Sequence, residues 1–205
     1  MLLEGWNIGF RYGKGPWVLR GVEISIRSGE TVGLTGPSGC GKTTLARLLA
    51  GYQLPREGGV RLNGGPLPAE GYHPVQLVFQ HPEKAVNPRW RMGEILNEGG
   101  KPEESVLASL GIERDWLRRW PNELSGGELQ RFCVARALGP RTRFLVADEM
   151  TTMLDAVTQA QIWRVVLDSV RERHLGVLVV SHEGSLIRRL CSRVVDLGKY
   201  RDILS

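Results

Sequence analysis

Eight consecutive residues, Gly36-Pro37-Ser38-Gly39-Cys40-Gly41-Lys42-Thr43, satisfy the pattern G-x-x-x-x-G-K-[ST] at every fixed position. Glycines let successive backbone N–H groups turn toward a polyphosphate, and a following helix offers its positive N-terminal end to the same charge. Around that charge Gly36, Ser38, Gly39, Cys40, Gly41 and Thr44 supply the cradle, and Lys42 reaches the outer phosphates. The Thr43 hydroxyl is suited to ligate Mg²⁺. A glycine turn without a ligand has no need of Lys-Thr at its exit, so the spacing points to ATP with Mg²⁺. Cys40 inside this loop implies that alkylation blocks the site.

Phe144-Leu145-Val146-Ala147-Asp148-Glu149 is an apolar run ending in two adjacent acids. In an open α/β sheet, ligands gather at the C-terminal ends of the strands. There Asp148 is expected to hold Mg²⁺, and Glu149 to act as general base on an attacking water. Alone, a strand followed by Asp-Glu is often a helix cap; beside a phosphate loop the catalytic reading is favoured. A third stretch, Leu124-Ser125-Gly126-Gly127-Glu128-Leu129-Gln130-Arg131, combines an N-cap serine with two glycines that leave helix amides open to an anion. Two anion-binding helix starts in one small chain invite a two-fold dimer, each copy closing on its partner's nucleotide.

These residues require particular elements beneath them. Trp6–Tyr12 and Val22–Ile26 alternate apolar and polar residues and are predicted to be strands of an N-terminal antiparallel part. Thr31–Thr35 runs as a buried strand into the loop, and Thr44–Ala50 as a helix closed by Gly51. Val75–Phe79, Phe144–Ala147, Val177–Val180 and Val194–Leu197 read as buried parallel strands, with helices over 127–138 and 158–172. The predicted fold is an α/β P-loop NTPase core, a mainly parallel sheet with flanking helices. Residues 82–122, with Trp90, Trp116, Trp120 and helical runs at 93–97 and 103–110, are expected to form a helical lobe inserted in this single domain.

At 205 residues the chain has room for one substantial core, and 41% hydrophobic with 24% charged residues is ordinary globular composition. No run approaches the ~20 apolar residues of a membrane span, and the start lacks the layout of a signal peptide. A cytosolic location is expected, with any membrane association made through a partner. The three cysteines, Cys40, Cys133 and Cys191, fit no metal spacing and read as reduced thiols. The net charge of +5 comes from dispersed pairs such as Arg118-Arg119 and Arg188-Arg189, so no nucleic-acid partner is expected.

Leu124–Arg131, at this distance beyond the glycine loop, resembles the signature motif of ABC ATPases, and the resemblance covers essentially the whole chain. It implies that Ser125, Gly126, Gly127 and Glu128 contact ATP held by an opposed cassette. By the same resemblance Tyr12 stacks on adenine, and Gln80 touches Mg²⁺ and faces a membrane subunit. His182 contacts the γ-phosphate, and Asp155, in Leu154-Asp155, runs along the dimer seam. The chain departs from the family pattern at Met150, where proline usually follows Asp-Glu, and at Met153. Residues 80–89 with 93–96 are similar to the same region of dipeptide, oligopeptide and nickel importers, especially their second ATPase subunit. That branch implies a second ABC ATPase subunit, like or unlike, two membrane permeases and an extracytoplasmic solute-binding protein. It also implies a peripheral place at the cytoplasmic face of the membrane. The rival readings are a non-transport ABC ATPase, such as a DNA-repair head, and a regulatory nucleotide-binding module. Against the first, no heptad run lies between loop and signature.

Overall fold

A computed structural model describes the backbone of residues 1–203 and the side chains of residues 1–200. The chain opens with β1 (Leu2–Phe10) and β2 (Leu19–Arg27), antiparallel, with Leu2 opposite Arg27 and Phe10 opposite Leu19. On its other edge β1 pairs antiparallel with β4 (Glu57–Leu62), which turns into the two-residue β5 (Gly65–Pro66). The turn is Asn63-Gly64, with φ of 52° and 79°. Two successive positive φ values give a hairpin turn whose twist matches that of its strands. In β2 the buried positions Val22, Ile24 and Ile26 alternate with more exposed ones, as a half-buried strand must.

The second sheet is wholly parallel, in the order β6-β7-β8-β3-β9. Its strands are β3 (Thr31–Thr35), β6 (Val75–Val78), β7 (Phe144–Asp148), β8 (Gly176–Val180) and β9 (Arg193–Asp196). Every residue of β7 and β8 is buried. Their apolar runs are continuous because both faces of the sheet are covered. Alternate side chains feed opposite layers. Val146, Leu178, Val32 and Leu34 join the core under the antiparallel sheet and α1 (Lys42–Leu49). Leu145, Ala147, Val177 and Val179 join the core on the other side.

That second core is shared with the helices. Between β6 and β7 run α2 (Met92–Asn97), α3 (Glu104–Ser109) and α4 (Gly126–Ala137), linked through 3₁₀ turns. Met92, Ile95, Leu110, Trp116 and Phe132 are buried there with α5 (Ala156–Arg173). The last helix, α6 (Gly184–Leu190), precedes β9 and buries Ile187. Among the described residues no helix is long and apolar enough to cross a membrane.

The expected strands and major helices lie where their patterns placed them, with shifted ends. β1 starts at Leu2 and stops at Phe10, so Tyr12 lies outside it. Helices α1, α4 and α5 start earlier than expected because their first turns are set by the residues that precede them, Gly41, Ser125 and Asp155. The β4–β5 hairpin and α6 were not expected.

Candidate functional site

The glycine loop joins the end of β3 to the start of α1. Gly41, the residue before that helix, has φ 97°, and a β-carbon there would lie 2.7 Å from Leu19 Cδ2. Only glycine satisfies both the left-handed backbone and the approach of β2. Lys42 is buried, and its Nζ donates to the carbonyls of Gly36 (2.9 Å) and Pro37 (3.1 Å). Cys40 corrects an expectation. The residue is 6% exposed and packs into the core, and its backbone N–H donates to Pro37 O at 3.3 Å, so its thiol does not face a phosphate.

Beside the loop, the first turn of α1 meets the tip of β7. Thr43 Oγ1 donates to Asp148 Oδ1 at 3.3 Å. Burial pushes the Asp148 carboxyl above its ordinary range, opposed by the Thr43 hydroxyl and reinforced by the neighbouring Glu149 charge. A cavity of about 530 Å³ is lined by Thr43, Asp148 and Gln80, together with Arg47, Tyr52 and Gln53. One carboxylate, one hydroxyl and one amide suit Mg²⁺, which keeps waters and substrate phosphates among its ligands and needs no all-protein cage. No cluster of three or more His, Cys, Asp or Glu occurs among the described residues.

Glu149 follows with φ 50°, a left-handed conformation unusual for a residue with a side chain. Its N–H donates to Val180 O at 3.0 Å, which anchors the strained peptide to β8. Strain of this kind costs about 1–3 kcal/mol and gathers at functional sites. The carboxylate is directed to His182, with Glu149 Oε1 and His182 Nδ1 3.4 Å apart. The His182 side chain is 58% exposed and so open to a ligand. The two catalytic expectations at the ends of β7 and β8 therefore meet at one point, next to the Thr43–Asp148 pair.

Tyr12, free of the strand, presents a 52% exposed ring at the edge of the loop. Phe10 meets the ring edge-on at 5.0 Å, and the hydroxyl lies 3.3 Å from Thr44 Oγ1. That hydrogen bond lowers the phenol's pKa.

The second anion-binding stretch is built at the start of α4. Ser125 Oγ accepts from the Glu128 N–H (3.3 Å), and Glu128 Oε2 accepts from the Ser125 N–H (2.7 Å). The second of these bonds holds the Glu128 carboxyl below its ordinary range. Glu128 is thus committed to its own helix, and the free donors are the N–H groups of Gly126 and Gly127. Among the described residues no hydrogen bond joins Ser125–Glu128 to the 36–44 loop. Asp155 is likewise committed, since its Oδ1 caps α5 by accepting from Val157 and Thr158 N–H at 3.0 and 2.9 Å.

Sequence reasoning passed over Gln130, whose buried amide donates to the Phe79 and Met150 carbonyls. It also passed over Arg47, Tyr52 and Gln53 in the cavity wall. Gln130 lies within the Leu124–Arg131 motif, but the motif's resemblance assigns contacts to Ser125–Glu128 and none to Gln130.

A glycine loop feeding a helix, facing an acid-tipped parallel strand, defines a P-loop nucleotide-binding protein. The family profile described as ABC transporter matches residues 19–152, and the chain belongs to that family. Among its relatives is the nickel import ATP-binding protein NikE of Rhodospirillum rubrum, 37% identical over 89% of this chain and 73% of that protein. NikE of Escherichia coli strain K12 is also 37% identical, over 87% and 74%. Solved structures agree in fold. A dimeric ATP-binding cassette in a post-hydrolysis state bound to ADP and Pi superposes with TM-score 0.80 at 24% identity, over 96% of this chain and 95% of that one. The cbiO1 protein of Clostridium perfringens, part of an ABC transporter complex, gives 0.76 at 21%, over 96% and 85%.

Proposed function

We propose that the chain is the ATP-hydrolysing subunit of an ABC importer and works as one of two opposed cassettes. The observation that carries this reading is the convergence of Thr43, Asp148, Glu149 and His182 beside the glycine loop. The triphosphate of ATP lies along the loop amides and the start of α1, and Lys42 exchanges its carbonyl partners for outer phosphate oxygens. Adenine stacks on the Tyr12 ring. Thr43, Asp148 and Gln80 would hold Mg²⁺, which neutralises charge on the phosphate oxygens when bound. Glu149 accepts a proton from the attacking water as the new oxygen–phosphorus bond forms and the bond to ADP breaks. His182, steered by Glu149, contacts the γ-phosphate.

The opposed cassette completes the site with its Ser125, Gly126 and Gly127. A β-carbon at Gly126 would meet nothing within 4 Å, and one at Gly127 only Leu154 Cδ2 at 3.7 Å. The fold of one chain therefore makes no demand for glycine there, whereas a phosphate laid against both amides does. Asp155 stiffens the segment along the same seam. The partner cassette is a related ABC ATPase subunit or a second copy. Two membrane permeases, docked near Gln80 and the inserted lobe of residues 82–122, turn closure into transport, with an extracytoplasmic binding protein delivering cargo. The chain sits peripherally on the cytoplasmic face of the membrane.

Kinship with nickel import ATP-binding proteins favours nickel or another metal chelate as cargo over a di- or oligopeptide. Co-purification tests this: permeases and ATP-dependent nickel uptake are the expected result. Turnover stimulated by nucleic acid, with no membrane partner, would instead favour the DNA-repair type of ABC ATPase.

A further inference from the structure

Gln130 lies on α4, just beyond Gly126 and Gly127, and is 1% exposed. Its Nε2 donates to Phe79 O at 3.1 Å and to Met150 O at 2.7 Å. The first carbonyl belongs to the residue before Gln80 and the second to the residue after Glu149. The two carbonyls fix the amide's orientation, since the flipped form would set oxygen against oxygen.

Its Oε1 is buried with no hydrogen-bond partner. An orphaned buried oxygen is penalised on the scale of what two neutral hydrogen bonds contribute, so stability gives little reason for a glutamine at this position. Position gives a better one. Glu149 sits in a strained left-handed conformation, and its N–H is already held by Val180 O. Gln130 holds the carbonyl of Met150, the residue that follows Glu149. A strained residue persists only where its surroundings over-determine it.

We propose that Gln130 is a positioning residue that couples the anion-binding start of α4 to the two catalytic loops. Through Phe79 and Met150 it sets Gln80 and Glu149 together, so a shift of α4 on closure over a nucleotide moves both. The inference rests on the ATPase reading above.

The test compares ATP turnover by the full chain in its transporter complex with that of Gln130→Met and Gln130→Glu. Gln130→Met keeps the bulk and removes the donors; kcat is expected to fall about 10- to 100-fold through misplacement of Glu149, with KM for ATP little changed. Gln130→Glu can donate only as the neutral acid. Its turnover relative to wild type should therefore decline as pH rises, at pH values where thermal melting shows it folded. Unchanged kcat in folded Gln130→Met, with an active wild type, overturns this inference alone. A wild type without turnover sinks the ATPase reading and this inference with it. If both variants unfold, the unsubstituted chain decides. The Gln130 side-chain amide signals in a ¹⁵N spectrum should shift when a non-hydrolysable ATP analogue binds, and unmoved signals refute the proposal.

Discussion

Thr43 Oγ1 donates to Asp148 Oδ1 across 3.3 Å, which brings the first turn of α1 and the tip of β7 to one point. The carboxyl in this pair is buried and its pKa is raised, first by desolvation. Its neutral form is favoured by folding, so the empty chain loses stability as pH rises through the raised value. Asp148→Asn keeps the acceptor and removes the charge. Without nucleotide it should melt above wild type at pH 7, by about 2–4 °C for each kcal/mol relieved in a chain of this size. The gap should close near pH 4, around the ordinary carboxylate pKa. With Mg-ATP present the order should reverse, because only wild type gains the ligand's stabilisation. Calorimetric melting at both pH values checks each part.

Glu149→Gln should bind ATP normally and lose turnover by about 10²- to 10⁴-fold, the span of a general base. ATP without hydrolysis should then accumulate a closed dimer in gel filtration. Near-normal turnover would remove Glu149 from the role of base.

Lys42→Ala should abolish measurable ATP binding in titration calorimetry. Gly41→Ala should fail too, through the loop itself, since its φ of 97° and the 2.7 Å approach of Leu19 both oppose a side chain. Unchanged affinity in Lys42→Ala would undo the phosphate-loop assignment.

Gly127→Val should melt close to wild type, because the only neighbour of an added β-carbon is Leu154 at 3.7 Å. Turnover should nevertheless collapse if that amide faces a partner's triphosphate. Mixing equal amounts of this variant and Lys42→Ala should restore about a quarter of the sites, one in each mixed dimer, drawing loop and signature from different chains. No recovery on mixing would argue against shared sites.

The thiols should be slow toward neutral alkylating reagents. Cys40 and Cys133 are buried, and burial pushes the Cys133 and Cys191 thiols up to about 11. Native protein should show little rapid labelling at pH 8, whereas denatured protein should label all three cysteines. Rapid inactivation by alkylation, prevented by ATP, would restore the expectation drawn from the position of Cys40.

The parts of this fold legible in the sequence are those fully buried or bearing fixed chemistry. The runs at 144–147 and 177–180 read as parallel strands because both faces of the sheet demand apolar residues. β4 was missed because Glu57-Gly58-Gly59 offers no alternation and the strand is only partly buried. The Asn63-Gly64 turn, itself a hairpin signal, had no recognised strand before it. Helix α6 buries only Ile187 and opens on Gly-Ser, too little for a periodic signal. At the site, the loop and the acid pair were named from their own spacing, and His182 from the family resemblance. The commitment of Glu128 and Asp155 to helix caps, and the bracing by Gln130, depend on which backbone atoms come near them. Spacing along a chain does not disclose that.

Lys42, grasping the carbonyls of Gly36 and Pro37, has a kinetic consequence. An unliganded loop with a free ammonium would have to be ordered by its guest, and binding would be weakened by that lost freedom. Here the ammonium is already placed, and the guest replaces two neutral acceptors with charged ones. Association should therefore run without a slow rearrangement, with an observed rate that rises linearly with ATP concentration and shows no plateau.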